Sequence, residues 1–173
     1  MPGKVLIAYA TKYGSTVEVA AAIAKTLEGE GVEVDLRDAR SVGDLREYRA
    51  VVFGAPLYNA RMLRAGRRFL ARHQRELVGM PVAVFALGPL GTSEKEIATT
   101  QKQFDRSLAH RSEIRPLSTA LFGGVIDQSK LRFPDKLAPP LRPLFPFTDV
   151  RDWDAIEAWA AALVDALSLG NRN

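Results

Sequence analysis

The sequence predicts a three-layer α/β/α fold, in which a five-stranded parallel sheet of strand order 2-1-3-4-5 lies between helices. Short apolar runs alternate along the chain with segments whose apolar residues recur at helical spacing, a pattern typical of a parallel sheet covered on both faces. The second predicted strand alternates apolar and charged residues, which places it at a sheet edge. The first, third and fourth are apolar almost throughout and are therefore predicted to be central.

The individual elements follow from these patterns. The predicted strands span residues 4–10, 32–37, 50–54, 82–87 and 119–122. The predicted helices span residues 16–29, 62–78, 93–109 and 153–167, and a further helix between the second and third strands is left open. Ser15 and Glu18 match the S-x-x-E pattern of a capping box, and Asp152 is the expected N-cap of the last helix.

Length and composition indicate one soluble globular domain over residues 1–173. The chain has no cysteine, which excludes disulfides, iron–sulfur clusters and thiol catalysis. We see no signal peptide and expect a cytoplasmic protein. The formal charge is +4, with a pI near 9.6. This charge fits either a solvated arginine-rich surface or an anionic partner.

The loop after the first strand has the residue types that bind a phosphate group. Its three hydroxyls can donate hydrogen bonds, its glycine lets the backbone turn, and the helix that follows presents unpaired N–H groups. The alternative is an ordinary strand-to-helix turn with a serine cap. The residues of this phosphate loop are Thr11, Lys12, Tyr13, Gly14, Ser15 and Thr16.

Two further loops should emerge at the same edge of the sheet, after the third and fourth strands. Both are rich in glycine and proline and poor in charge, which suits the walls of a site for a planar ring. The first ring loop contains Pro56, Leu57, Tyr58, Asn59 and Ala60, and the second contains Gly88, Pro89, Leu90 and Gly91.

The three loops, in this order, resemble those of flavodoxins. The segment V-L-I-A-Y-A-T-K-Y-G-S-T is similar to the first strand, phosphate loop and first helix of that family. The later segments A-L-F-G-G-V-I-D and D-W-D-A-I-E-A-W most resemble the flavodoxin-like menaquinone-dependent protoporphyrinogen oxidases. The resemblance implies a flavodoxin-like fold that binds flavin mononucleotide (FMN). By it, the phosphate loop holds the phosphate, and the two ring loops border the isoalloxazine ring.

Three functions are compatible with this resemblance. The first is an FMN-dependent oxidoreductase that passes electrons from an organic substrate to a quinone or other acceptor. The second is an electron carrier without its own substrate, although carriers resembling flavodoxins are acidic and this chain is basic. The third is a partner protein that has lost FMN. No catalytic side chain and no metal ligand is assigned.

Basic residues near the ring loops favour the oxidoreductase. They could receive a substrate carboxylate or an anionic lipid headgroup at the inner face of the membrane, or they could be a solvated helix face. One group follows the first ring loop and comprises Arg61, Arg64, Arg67, Arg68, Arg72 and Arg75. A second group belongs to a proline-rich insertion at about residues 129–148 and comprises Lys130, Arg132, Lys136 and Arg142.

Several single residues receive structural interpretations. His73 and His110 are expected to have surface or packing roles, Trp153 and Trp159 to pack in the core, and Asp127 to form a turn. No nucleic-acid motif is present, so nucleic acid is not an expected partner.

Overall fold

A computed structural model describes residues 3–132 and 147–168, apart from the side chain of Gln128. The strands are β1 (Lys4–Tyr9), β2 (Val34–Asp38), β3 (Tyr48–Tyr58), β4 (Arg61–Met62), β5 (Val82–Leu87), β6 (Ser118–Phe122), β7 (Val125–Asp127) and β8 (Phe147–Asp149). The α-helices are α1 (Ser15–Gly29), α2 (Arg64–Arg72), α3 (Gln74–Val78), α4 (Glu94–Ala109) and α5 (Trp153–Ala166), and Gln128–Lys130 form a 3₁₀ turn.

Five parallel strands form the central sheet in the order β2-β1-β3-β5-β6. This confirms the predicted order 2-1-3-4-5, because the short strand β4 pairs only with the end of β3 and shifts the numbering by one. β2 lies at an edge, as its alternating charges predict. The order reverses between β1 and β3, and ligands of open α/β sheets bind at such a point.

Helices cover both faces of the sheet and create two cores. On one face Ile7 and Phe85 pack with α1 and α5, where Ile23 and Ile156 are fully buried. On the other face α2, α3 and α4 supply Phe69, Leu77 and Phe104 to a second core, which also contains Phe53 of β3. In the described parts of the chain, no helix combines the length and apolar character that a membrane crossing requires.

The predicted helix over residues 62–78 is in fact two helices, with a break at His73. The backbone of His73 leaves helical geometry at φ −102° and ψ 13°. Its ring is 2% exposed, packs 4.9 Å from the ring of Phe69, and lies with Nδ1 3.0 Å from Glu76 Oε2. His73 thus has the packing role predicted for it, at the junction of α2 and α3. The helix left open between the second and third strands does not form, because residues 39–47 make turns.

The two tryptophans of α5 differ in their surroundings. Trp159 packs edge-on against Phe85 and Phe122 and donates a hydrogen bond to Ser118 Oγ at 2.9 Å, which confirms a core role. The prediction for Trp153 was wrong. Its side chain is 39% exposed, because it lies at the surface beneath the Arg151 guanidinium, which is 4.7 Å from its ring centre.

A second, two-stranded sheet was not predicted. β7 and β8 pair antiparallel and hold together the two ends of the proline-rich insertion. Residues 133–146, which include Lys136 and Arg142, lie outside the described residues. Asp127 ends β7 and accepts hydrogen bonds from the backbone N–H and the hydroxyl of Ser129, which is the turn role expected for it.

Gly54 in β3 is expected to tolerate no side chain. A β-carbon there would collide with the ring of Phe85, which is itself fully buried. We expect Gly54→Ala to destabilise the fold by about 3 kcal/mol, the upper range of an overpacked core. Urea unfolding measures this loss. Gly29→Ala is the matched control, because an added β-carbon at Gly29 meets no atom within 4 Å. Equal midpoints for the two variants would contradict the packing described here.

Candidate cofactor-binding site

The phosphate loop joins the carboxyl end of β1 to the start of α1, at the point where the strand order reverses. Ala10 N–H donates to Gly54 O at 2.8 Å and so ties the residue before the loop to β3. The Thr11 hydroxyl oxygen accepts a hydrogen bond from Gly14 N–H at 2.9 Å, which closes the loop on itself. Gly14 has φ +95°, a conformation that favours glycine. The loop is therefore a compact turn immediately before a helix of fifteen residues.

The predicted capping box at Ser15 and Glu18 was wrong. The N-cap of α1 is Gly14, and no side chain of the described residues forms a cap hydrogen bond there. The Glu18 carboxylate instead pairs with Arg151 Nη1 at 2.6 Å. The first N–H groups of an α-helix have no acceptor within the helix, and the helix dipole makes this end positive. Because no described side chain caps this end, the start of α1 can accept an anion.

Thr16 gives this site its most specific feature. Its side chain is fully buried, yet its hydroxyl has no hydrogen-bond partner among the described residues. An unsatisfied buried hydroxyl costs about 1–3 kcal/mol. A phosphate oxygen at the start of α1 would supply the missing acceptor, so the residues present fit a phosphate group.

The structure brings the phosphate loop together with the end of β3. The rings of Tyr13 and Tyr58 meet edge-on, with centres 6.5 Å apart. Lys12 Nζ lies 5.4 Å from the centre of the Tyr13 ring and 5.6 Å from that of Tyr58. Tyr13 and Tyr58, which were placed in two different predicted loops, therefore form one aromatic cluster.

The first ring loop is not an irregular loop. β3 continues through Pro56, Leu57 and Tyr58 and turns at Asn59 and Ala60 into β4. Both turn residues have positive φ, at 47° and 64°, as the tight turns of β-hairpins require. The segment is thus a short antiparallel hairpin, and the expectation of a loop after residue 54 was wrong.

The second ring loop, residues 88–91, begins beside this hairpin. Leu87 at the end of β5 pairs with Pro56 in β3, so the two segments leave the sheet side by side. Gly88 N–H donates to Phe122 O, and Pro89 O accepts from Gly124 N–H. The N–H groups of Leu90 and Gly91 both donate to the carboxylate of Glu96, a residue not predicted to belong to the site.

A buried arginine joins the first turn of α1 to β8. The Arg151 side chain is 8% exposed and bonds both Glu18 in α1 and Asp149 at the end of β8, each at 2.6 Å. The hydrogen bond from Arg151 lowers the pKa of Asp149 although partial burial opposes this, and Asp149 raises the pKa of Arg151. The pairing of Arg151 with Glu18 spans 133 positions, so no local pattern could have revealed it.

A cavity of about 190 Å³ is lined by the Arg151–Glu18 pair on one part of its wall and by Tyr13 and Ser15 of the phosphate loop on another. Its lining combines an aromatic edge with charges of both signs. The lining residues are Tyr13, Ser15, Glu18, Val125, Asp127, Lys130, Phe147 and Arg151.

The lowered pKa of Asp149 has a consequence for stability. A carboxyl group with a lower pKa in the folded state contributes stability above its unfolded pKa, and this contribution is lost as the pH falls through the folded pKa. We expect Asp149→Asn to lower the free energy of unfolding by roughly 1 kcal/mol at pH 7. The gap to the unchanged protein should close below the ordinary carboxyl pKa of 3.8.

Urea unfolding at pH 7 and pH 3 checks this expectation. Asp165→Asn is the control, since Asp165 is exposed and has no ion pair in the described structure. A gap that stays constant, or widens, as the pH falls would contradict the role assigned to Asp149.

The six arginines that follow the first ring loop are all exposed, and we call them together the arginine face. It starts at Arg61, whose backbone pairs with Tyr58, and continues along α2 to α3. Among the described residues none of these six arginines has an ion pair, whereas Arg37, Arg40 and Arg46 each pair with a nearby aspartate. The face comprises Arg61, Arg64, Arg67, Arg68, Arg72 and Arg75.

Fold and site together define an open α/β protein in which an uncapped helix start lies at the switch point of the sheet. The flavodoxin-domain family model matches residues 6–138, so the chain belongs to the flavodoxin domain family. The chain is also similar to the protoporphyrinogen IX dehydrogenase [quinone] of Escherichia coli K12, with 24% identity over 135 residues that cover 77% of this chain and 75% of the relative.

The chain is also similar to a second relative and to solved structures. The protoporphyrinogen IX dehydrogenase [quinone] of Leishmania major is 25% identical over 138 residues, which cover 78% of this chain and 59% of that protein. A single-site mutant of flavodoxin from Pseudomonas aeruginosa has a TM-score of 0.59 at 16% identity, and the match covers 95% of this chain and 99% of the flavodoxin. The flavodiiron core Flv1 of Synechocystis has a TM-score of 0.58 at 15% identity, with 96% and 36% covered. These structures support the fold.

Proposed function

We propose that this protein is an FMN-dependent oxidoreductase of the protoporphyrinogen oxidase type, which passes electrons from an organic substrate to a quinone or other acceptor. The observation that carries FMN binding is the buried, unpartnered hydroxyl of Thr16 at the uncapped start of α1, as seen among the described residues. A phosphate at this position satisfies the hydroxyl and the first N–H groups of the helix together.

In this proposal, three segments at the same edge of the sheet hold the cofactor. The phosphate loop, residues 11–16, binds the phosphate. The β3–β4 hairpin, residues 56–60, and the second ring loop, residues 88–91, border the ring on its two sides. FMN supplies the capacity to accept a hydride or electrons and to pass them on, and the protein binds, orients and shields it. The β3–β4 hairpin suits this task because its strands are paired with each other through the backbone.

The arginine face supports an enzyme with an anionic substrate. Guanidinium groups bind carboxylates with paired hydrogen bonds, and these six have no competing ion pair among the described residues. Arg61 is exposed and its backbone pairs with Tyr58, so its positive charge lies next to the proposed ring site. The relatives named above as dehydrogenases that use a quinone support the same reaction class.

We further propose that the protein lies in the cytoplasm and makes a peripheral contact with the inner face of the membrane. Positive charge at a protein surface is attracted to anionic lipid, and quinones dissolve in the bilayer. Co-sedimentation with liposomes tests the contact. Binding should rise with the fraction of acidic lipid, and binding that ignores acidic lipid would contradict it.

The second candidate is an electron carrier without its own substrate. It is favoured by the coverage of solved flavodoxins, since one from Pseudomonas aeruginosa is matched over 99% of its length. The formal charge of +4 disfavours it, because it differs in sign from the acidic surfaces expected of flavodoxin-type carriers.

One experiment separates the two candidates. The purified protein is loaded with FMN and mixed without oxygen with a reduced porphyrin that carries carboxylates, and a quinone is then added. Bleaching of the flavin absorbance by the porphyrin and its return with the quinone, over many turnovers, is the expected result. Flavin that ignores the porphyrin but exchanges electrons with a reductase would favour the carrier.

A further inference from the structure

The second ring loop, all of whose residues the structure describes, has no backbone N–H group left to offer a ligand. Gly88 N–H is bonded to Phe122 O at 2.9 Å, and Pro89 has no N–H. The N–H groups of Leu90 and Gly91 both donate to Glu96 Oε1, each at 2.9 Å. All the donors of this segment are therefore used within the protein.

The backbone of Glu96 is held by hydrogen bonds at both its N–H and its carbonyl group. It lies in the first turn of α4, where its N–H donates to the Ser93 hydroxyl at 3.3 Å and its carbonyl accepts from the Thr100 hydroxyl at 2.8 Å. The positive end of the helix dipole stabilises its carboxylate there. A rigid helix thus presents an acceptor to two neighbouring N–H groups of the loop.

Gly91 is shaped to this carboxylate. A β-carbon on Gly91 would collide with Glu96 Oε2 and lie 3.1 Å from Glu96 Cδ. The carboxylate therefore packs directly against the α-carbon of Gly91. The other end of the loop is tied to the β6–β7 connection, because Pro89 O accepts from Gly124 N–H at 2.8 Å. Glu96 holds the end that the backbone bonds leave unsupported.

We propose that Glu96 is the positioning residue for the flavin ring. Its carboxylate takes both N–H groups of the loop and fixes residues 88–91 as an uncharged wall of glycine, proline and leucine. The wall contributes contact surface rather than hydrogen-bond donors. This inference rests on the proposed FMN function. In it, Glu96 contributes to the affinity for the flavin ring, whereas the phosphate loop contributes to the affinity for the phosphate.

The test compares the dissociation constants of FMN and of riboflavin, which lacks the phosphate, by quenching of flavin fluorescence. We expect Glu96→Ala to weaken both by the same factor of about ten, the order that one lost charge-assisted hydrogen bond represents. Glu96→Gln keeps a carbonyl acceptor and should restore most of the affinity. Gly91→Ala, which displaces the carboxylate from the other side, should reproduce the effect of Glu96→Ala. Glu94→Ala, an exposed acidic residue of the same helical turn, should leave both constants unchanged.

Hydrogen exchange of the flavin-free protein supplies a second readout. The N–H groups of Leu90 and Gly91 should exchange faster in Glu96→Ala than in the unchanged protein, while those of β5 stay protected. Unchanged or tighter binding of both flavins by Glu96→Ala would overturn the inference alone, since the carboxylate would then be neutral or a competitor of the ring. An unchanged protein that binds neither flavin would overturn the proposed function, and the inference with it.

Discussion

Thr16→Val is expected to weaken FMN binding by about 10- to 100-fold, because a hydrogen bond to a charged phosphate contributes about 1.5–3 kcal/mol. The binding of riboflavin should not change, since Thr16 lies at the start of α1, where the phosphate is proposed to bind, and riboflavin has no phosphate. The flavin-free protein should be as stable as before, or more stable by about 1 kcal/mol, because the variant removes a buried hydroxyl without a partner among the described residues.

Fluorescence titration with the two flavins and urea unfolding without flavin measure these effects. Thr99→Val is the matched control, because Thr99 is exposed on α4 and its hydroxyl donates within its own helix, to Lys95 O. A loss of stability without a loss of FMN affinity would show that the Thr16 hydroxyl has a structural partner and no role in binding phosphate.

Removal of the arginine face is expected to slow the reaction with an anionic substrate. In the variant that carries Arg64→Gln, Arg67→Gln, Arg68→Gln and Arg72→Gln, the second-order rate constant for flavin reduction should fall by at least about tenfold at low salt. The rate should also depend less on salt concentration than in the unchanged protein. Salt screens the attraction between exposed charges, and the variant has lost four of these charges. Stopped-flow absorbance at several salt concentrations measures both quantities.

A charge-matched control distinguishes a local effect of the arginine face from an effect of total charge. It replaces four exposed cations elsewhere on the surface, namely Lys25, Lys102, Arg106 and Arg115, with glutamine. This variant has the same net charge and should retain most of the rate. Equal losses in the two variants would mean that total charge governs the encounter and that the arginine face has no special role.

The sheet could be predicted from the sequence because its strands are buried. β5 has the predicted bounds, since all six of its residues are buried and Pro81 and Gly88 flank it. β3 was predicted too short, because its last residues pair with β4 across a turn of Asn59 and Ala60. That turn lacks the Asn-Gly or Asp-Gly pair that identifies such hairpins in a sequence.

The sequence predicted those parts of the site whose role depends on residue type, but not those whose role depends on contacts made only in the folded chain. The hydroxyls and the glycine of the phosphate loop are visible in the sequence. Glu18 matches a local capping pattern, but its carboxylate instead accepts a hydrogen bond from Arg151, which lies 133 positions away in the sequence. The contacts of Glu96 were not predicted either. Its partners are backbone N–H groups of the preceding loop, and almost every residue type has such a group.

We propose that the phosphate loop of this protein holds the phosphate of FMN. Titration of the purified, flavin-free protein with FMN and with riboflavin measures this contribution. We expect FMN to bind at least about 100-fold more tightly than riboflavin, because the hydroxyls and N–H groups at the start of α1 would bind only the phosphate of FMN. Equal affinities for the two flavins, or no binding of either, would contradict it.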